Sequence, residues 1–357
     1  MTDTPAMDID PALAAAAREK TAARFIGTDL AHPAVAALFE LSVMRLAREA
    51  VADPGRVKPT PPPPPGPLQM GAAEFGPSRR LVDDIVPPPL PRAFLALQEV
   101  LGNPRSSLRD IAAVVSHDPG LSALLLKLAN SAFYGFSGRV DTIERAVGLL
   151  GAAEVHALAA GAAVSTLFRD NPYPDLLDIP LFWKHSVACA IVSRFLAERC
   201  GQKNPERFFL AGLLHDIGKV LLAVAEPEMV GMALELARRD NLSVLRAEKH
   251  VFAFDHAELG GRVIAKWHFP DALALIVAGH HDPQLCGHDP EPALVHVADM
   301  VVLALGVGTR PDPLVPALCP EAFASLNIHP QDLCLAAAEL DERLPPLSMA
   351  FLETGTR

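Results

Sequence analysis

The residues that could do chemistry are histidines and aspartates in places where a solvated helix face does not put them. Leu213-Leu214-His215-Asp216-Ile217-Gly218-Lys219 sets an imidazole beside a carboxylate, with apolar residues on both sides. Nitrogen and oxygen donors of this kind suit a borderline or hard divalent metal. On the helix expected to run from about Pro205, Lys219 follows His215 by four residues and Asp216 by three, so it shares their face. Its ammonium would sit beside any phosphate bound there. The same oddity recurs elsewhere. His185 precedes Ala188, Cys189 and Val192 at i+3, i+4 and i+7, and His256 precedes Leu259, Gly260, Val263 and Trp267. His280-His281 follows Leu273-Ala274-Leu275-Ile276-Val277, and Asp299 is embedded between Val295-His296-Val297-Ala298 and Met300-Val301-Val302. A carboxylate buried alone is costly or is forced neutral, and a metal ion relieves that cost. Any single residue of this kind reads more simply as a hydrogen-bonded core group. Five separate sites of one chemistry point instead to a shared metal centre, with core packing as the competing explanation.

The remaining histidines divide by position. His32, His117, His250, His268, His288 and His329 fall near helix ends or in loops and are expected to be exposed. His156 reads as helix packing. His296, one turn before Asp299, could orient that carboxylate.

The elements that must carry these residues are helices. Half of the 357 residues are hydrophobic, many of them alanine, while aromatic residues make up only 6%. That balance favours packed helices over strands, so the chain is expected to be all-α. An amphipathic helix is expected over residues 33–52, with Val35, Leu38, Phe39, Val43 and Leu46 at helical spacing. Eight prolines between Pro54 and Pro67, five of them consecutive from Pro61 to Pro65, end it in a linker. The helix before them either docks on a partner or packs on the main body. From Leu81 on, helix follows helix. Ser107-Leu108-Arg109-Asp110 is a capping box opening a helix through Val115, and Asp118-Pro119 opens another to about Asn130. Asp141-Thr142-Ile143-Glu144 is read as a further capping box for a helix to about Leu150, and one more helix covers about Ala152–Phe168.

Charge and cysteine usage narrow the function. A net charge of −11 argues against a partner held through phosphate contacts of nucleic acid and against a basic membrane-docking face. The helices around Asp118 resemble a helix-turn-helix, but residues 107–130 hold only Arg109 and Lys127 as cations, too few for a DNA reader. Met1 to Asp10 shows no secretion signal, and the most apolar stretch, Ala146 to Phe168, is interrupted by Glu154 and His156. Cys189, Cys200, Cys286, Cys319 and Cys334 form no CxxC pair and read as buried thiols in a reducing cytoplasm.

The ordered set His185, His215-Asp216, His256, His280-His281 and Asp299 resembles the dinuclear members of the HD superfamily of metal-dependent phosphohydrolases. Leu128-Ala129-Asn130-Ser131-Ala132-Phe133-Tyr134-Gly135, followed by Val140 to Leu150 and Gly151, is similar to the HDOD branch. So is His256-Ala257-Glu258-Leu259-Gly260, followed by Trp267-His268-Phe269-Pro270 and His280-His281-Asp282-Pro283. The resemblance implies an HD-type helical domain preceded by a smaller helical subdomain. The resemblance covers about residues 80–307, an HDOD domain 81–307 split after residue 177; a helical segment 1–53, a proline-rich linker 54–80 and a helical tail 308–357 lie outside it. It implies that His185, His215, Asp216 and Asp299 hold a first metal and that His256, His280 and His281 hold a second, with Asp216 shared. One or two divalent ions of iron, manganese, zinc or cobalt are therefore expected. Asp282-Pro283-Gln284-Leu285-Cys286-Gly287-His288 carries no Gly-Tyr-Pro, unlike the branch that cleaves cyclic di-GMP.

Two functions follow from the resemblance. One is a cytoplasmic regulatory module of bacterial signalling that works through protein partners, its metal serving structure or sensing. The other is a phosphohydrolase acting on a nucleotide or phosphodiester, with Asp216 and Lys219 in the catalytic machinery. Besides signalling proteins, the candidate partners are a phosphate-containing small molecule and a second copy of the chain.

Overall fold

Alanine-rich segments punctuated by capping residues fold into helices joined by short turns. A computed structural model of the chain describes residues 10–58, 85–131, 134–169, 171–282, 290–308 and 314–353, and no strand occurs among them. Helix α1 (Pro11–Arg24) is capped by Asp10, which accepts from the Ala12 amide at 2.9 Å. This helix falls within the helical segment expected over 1–53, although its alanine run shows no clear apolar stripe. Helix α2 (Pro33–Ala52) has the expected bounds. A 3₁₀ turn over Pro54–Val57 follows, and the proline run itself lies outside the described residues.

Helices α3 (Arg92–Gly102), α4 (Leu108–Ser116), α5 (Pro119–Ala129), α6 (Ile143–Leu150) and α7 (Ala152–Leu167) form the first half of the main body. The Ser107 amide donates to Asp110 Oδ2 at 2.7 Å and the Asp110 amide to Ser107 Oγ at 3.4 Å, which is the expected capping box. The box expected at Asp141 is not formed. Thr142 is the cap, accepting from the Arg145 amide at 3.3 Å, and an arginine at that position cannot return the bond. Gly151, at φ +81°, takes the left-handed conformation that lets α7 leave α6 at 111°.

The second half comprises α8 (Ile179–Arg199), α9 (Pro205–Leu214), α10 (Ile217–Ala225), α11 (Pro227–Asp240), α12 (Val244–Phe252), α13 (His256–Lys266), α14 (Asp271–Gly279) and α15 (Glu291–Ala304). Helices α16 (Pro320–Ser325) and α17 (Pro330–Glu353) close the chain. Helix α8 is the axis, with α9, α15 and α17 packed around it, which is why its sequence is apolar on nearly every side. Phe208 and Phe209, on the α9 helix packed against it, are fully buried, each contributing about 2–3 kcal/mol of burial. Pro205–Ala225 has the length and composition of a membrane span, yet 83% of its most apolar stretch is buried inside the fold.

The helix expected to run through His215 and Asp216 is broken there. Asp216 sits at φ −97°, ψ 8°, and the His215 imidazole donates to the Gly212 carbonyl at 2.7 Å. Helix α2 also departs from a free docking element. It packs on α1, α15 and α17, Ser42 donates to the Ala304 carbonyl at 2.7 Å, and Arg45 pairs with Asp341 at 2.6 Å.

Candidate metal centre

Two close helix approaches assemble the site, and each needs a glycine. A Cβ on Gly212 would stand 2.6 Å from the Cys189 carbonyl oxygen. Without one, α9 lies against α8 and His215 comes beside His185, ring centroids 5.2 Å apart. A Cβ on Gly218 would meet the His256 carbonyl oxygen at 2.0 Å. Its absence brings the start of α10 onto the start of α13, so that Asp216 Oδ1 is 3.1 Å from His256 Nε2.

All seven metal-site residues expected from the sequence converge here. Around Asp299, His185 Nε2 lies 3.1 Å and His215 Nε2 3.9 Å from Oδ1. Around Asp216, His280 Nε2 is 3.7 Å from Oδ1, while Oδ2 is 3.4 Å from His215 Nε2 and 3.7 Å from His185 Nε2. His281 Nε2 is 2.8 Å from His256 Nε2. The donors form two groups able to hold a metal ion, and within each group the ligand atoms lie within 4.8 Å of one another. One is His185, Cys189, His215 and Asp299; the other is Asp216, His256, His280 and His281. Asp216 presents one oxygen to each. Lys219 Nζ contacts Asp216 Oδ2 at 2.6 Å, on the face expected for it.

Burial and protonation fit a metal. His215 and His280 are 0% exposed, His256 1% and Asp216 2%. His215 Nε2, His280 Nε2 and Asp216 Oδ1 have no hydrogen-bond partner, an expensive arrangement for buried polar atoms unless something else satisfies them. His215 and His280 donate from Nδ1 to the carbonyls of Gly212 and Val277, both at 2.7 Å, which leaves each Nε2 lone pair turned inward. Burial pushes His215 down to about 3 and holds His281 well below its usual range, so both are neutral donors. Burial opposes the charge of Asp216, but His215 and Lys219 overcome it and keep the carboxylate ionised. Asp299 is likewise held at about 2, burial being outweighed by its hydrogen bond and attraction to His185. His256 is the exception. Burial lowers it, yet the Glu248 and Asp216 carboxylates raise it to about 9, so its proton must leave before Nε2 can bind a cation.

Glu248 belongs to the candidate site and was not among the residues expected from the sequence. Its Oε2 contacts His256 Nδ1 at 2.5 Å and accepts from the His256 amide at 3.0 Å, fixing the ring. It carries the same signature used for the histidines, with Val251 and Phe252 at i+3 and i+4. His296 corrects another expectation. Its Nδ1 bonds the His280 carbonyl at 2.9 Å and not Asp299, so it supports the second group. His156 stacks on Phe94, centroids 5.7 Å apart, as packing predicts. His117, His250, His268 and His329 are exposed, His32 is half-buried, and His288 lies outside the described residues. Of the thiols expected to be buried, only Cys189 is so among the described residues. Cys200 and Cys319 are half-buried and Cys334 is exposed, while Cys286 lies outside them.

A model of the HDOD domain matches residues 88–283, more than half of the chain. The chain belongs to the HDOD family. An HDOD domain protein of Geobacter sulfurreducens, with unknown function, superposes with a TM-score of 0.64 at 24% identity, over 77% of this chain and 96% of that one. A protein of Shewanella amazonensis SB2B, provisionally called a phosphohydrolase, gives 0.59 at 27% identity over the same shares. An uncharacterized protein of Treponema pallidum (strain Nichols) is 29% identical over 220 residues, which are 61% of this HDOD chain and 41% of that relative. The chain thus spans less than half the length of that relative.

Proposed function

We propose that this HDOD protein is a cytoplasmic regulatory module of bacterial signalling. In this reading His185, His215, Asp216, His256, His280, His281 and Asp299 hold one or two divalent transition metals, and the helical surface engages protein partners. The observation that carries it is closure of the centre. Apart from half-buried His281, no donor of this set is more than 5% exposed. Closed, fully protein-ligated sites serve structure or sensing, whereas catalytic sites keep a position open. The donors come from α8, α13, α15 and the chain just after α9 and α14, so a metal would tie five helices together. Gain or loss of the ion would then change how the second half of the body packs.

A second reading, a metal-dependent phosphohydrolase of a nucleotide or phosphodiester, is favoured by Lys219. Its ammonium contacts Asp216 while its side chain stays 30% exposed, so it could neutralise charge on phosphate oxygens reaching the rim. The metals would supply Lewis acidity and an activated water. Metal content and hydrolysis of bis(p-nitrophenyl) phosphate, measured on wild type and Asp216→Asn, separate the readings. The regulatory reading expects metal in the wild type and no turnover above the variant. Turnover lost in the variant would establish the hydrolase, and a metal-free wild type would remove the centre altogether.

A further inference from the structure

We infer that Cys189 is itself a metal ligand, its thiolate completing a site with His185, His215 and Asp299; this rests on the metal-centre reading above. Cys189 follows His185 by one turn of α8 and is fully buried. Its Sγ lies 3.5 Å from His185 Nε2 and 4.0 Å from Asp299 Oδ1, and His185 Nε2 is 3.1 Å from Asp299 Oδ1. Metal bonds of about 2.3 Å to sulfur and 2.0–2.1 Å to nitrogen at tetrahedral angles place sulfur and nitrogen roughly 3.5 Å apart. The sulfur and the His185 nitrogen already stand at that edge, and all four donor atoms lie within 4.8 Å of one another. The fourth corner is His215 Nε2, completely buried and without a hydrogen-bond partner.

The resemblance assigns Asp216 to this metal. Here the Asp216 oxygen that faces it, Oδ2, is held at 2.6 Å by Lys219, and Oδ1 faces His256. That leaves the sulfur as the natural fourth donor. On binding, the Cys189 S–H gives its proton to solvent and a sulfur lone pair forms the bond to the divalent ion. One soft ligand shifts the first site towards zinc, cobalt or ferrous iron over manganese or magnesium. The second group, three imidazoles and a carboxylate, has no such bias.

The test uses the full chain loaded with Co(II). Thiolate coordination gives a thiolate-to-cobalt charge-transfer band in the near ultraviolet. The band is expected in wild type and in a variant with Cys200, Cys286, Cys319 and Cys334 changed to serine. It is expected to vanish in Cys189→Ser, with zinc affinity of that site falling about 10-fold or more. Cobalt bound without the band overturns this inference alone, as does a band that persists in Cys189→Ser or is lost in the four-serine variant. Should Cys189→Ser fail to fold, wild type and the four-serine variant still decide. A chain that binds no cobalt overturns the metal-centre reading and this inference with it.

Discussion

Two buried polar clusters in this molecule are built in opposite ways. Between α7, α8 and the chain after α5, Glu154 accepts from the Tyr134 hydroxyl and from Arg194 Nη1, the latter at 3.1 Å, and Arg194 also reaches Glu198 at 3.1 Å. Glu154 is 3% exposed, and its carboxylate is answered by protein donors on both oxygens. In the His/Asp centre, by contrast, His215 Nε2, His280 Nε2 and Asp216 Oδ1 are buried without a hydrogen-bond partner. The first cluster is complete as folded and ties three elements together. The second leaves buried donor atoms unanswered and could hold a metal ion. Burial alone does not mark a functional site; what marks it is which buried atoms are left for a ligand to satisfy.

The contrast can be broken most sharply by removing metal. Chelation should lower the melting temperature of wild type, since an ion at 1,000 times its Kd adds about 4 kcal/mol. A melt indifferent to chelator would place the two clusters in the same class. Next, Arg194→Ala leaves Glu154 buried beside a lost partner and should cost about 3 kcal/mol in urea unfolding. Metal content should not change, and a parallel loss of metal would show that the clusters are coupled. A smaller effect is expected for Glu248→Gln, which keeps the shape but removes the charge that orients His256. Metal affinity should fall about 10- to 100-fold, read by competition with a chelating dye.

The smallest effect is in pH. Burial raises the Glu154 carboxyl above its ordinary value of 4.5, against the pull of Arg194 and Tyr134, and Glu206 and Glu198 add to the rise. Between those two values the native state binds more protons than the unfolded chain. Glu154 therefore contributes stability that is present below 4.5 and lost as pH rises through its raised value. Glu154→Gln should flatten that part of the stability profile, and an unchanged slope would assign it to other groups.

Much of the fold was legible because helix signals are local. Asp118 with Pro119, Ser107 with Asp110 and the stripe of α2 each lie within a turn or two of what they specify. The capping box at Asp141 misled because Asp and Thr are both good caps, and only the accepted bond from Arg145 selects Thr142. In helix α1, within the segment expected to be helical, the buried face of Ala17, Thr21 and Arg24 escaped because alanine is helical without declaring one. In the site, the seven expected residues stood out through apolar neighbours three and four positions away. Glu248 carries the same mark, but its partner His256 lies in the next helix, beyond any spacing along a single one.

The sequence by itself determined that the chain would be helical, that it would bury histidines and aspartates, and in what order they would come. These are properties of composition and of spacing along single helices. Only the tertiary structure decided how the donors are shared. The break at His215-Asp216 turns Asp216 so that its two oxygens serve different groups. The approach of α9 to α8 at Gly212 places His215 beside His185 and Cys189, and Glu248 reaches His256 across a turn. Each of these depends on how closely two backbones approach in space, and no spacing along one chain records that distance.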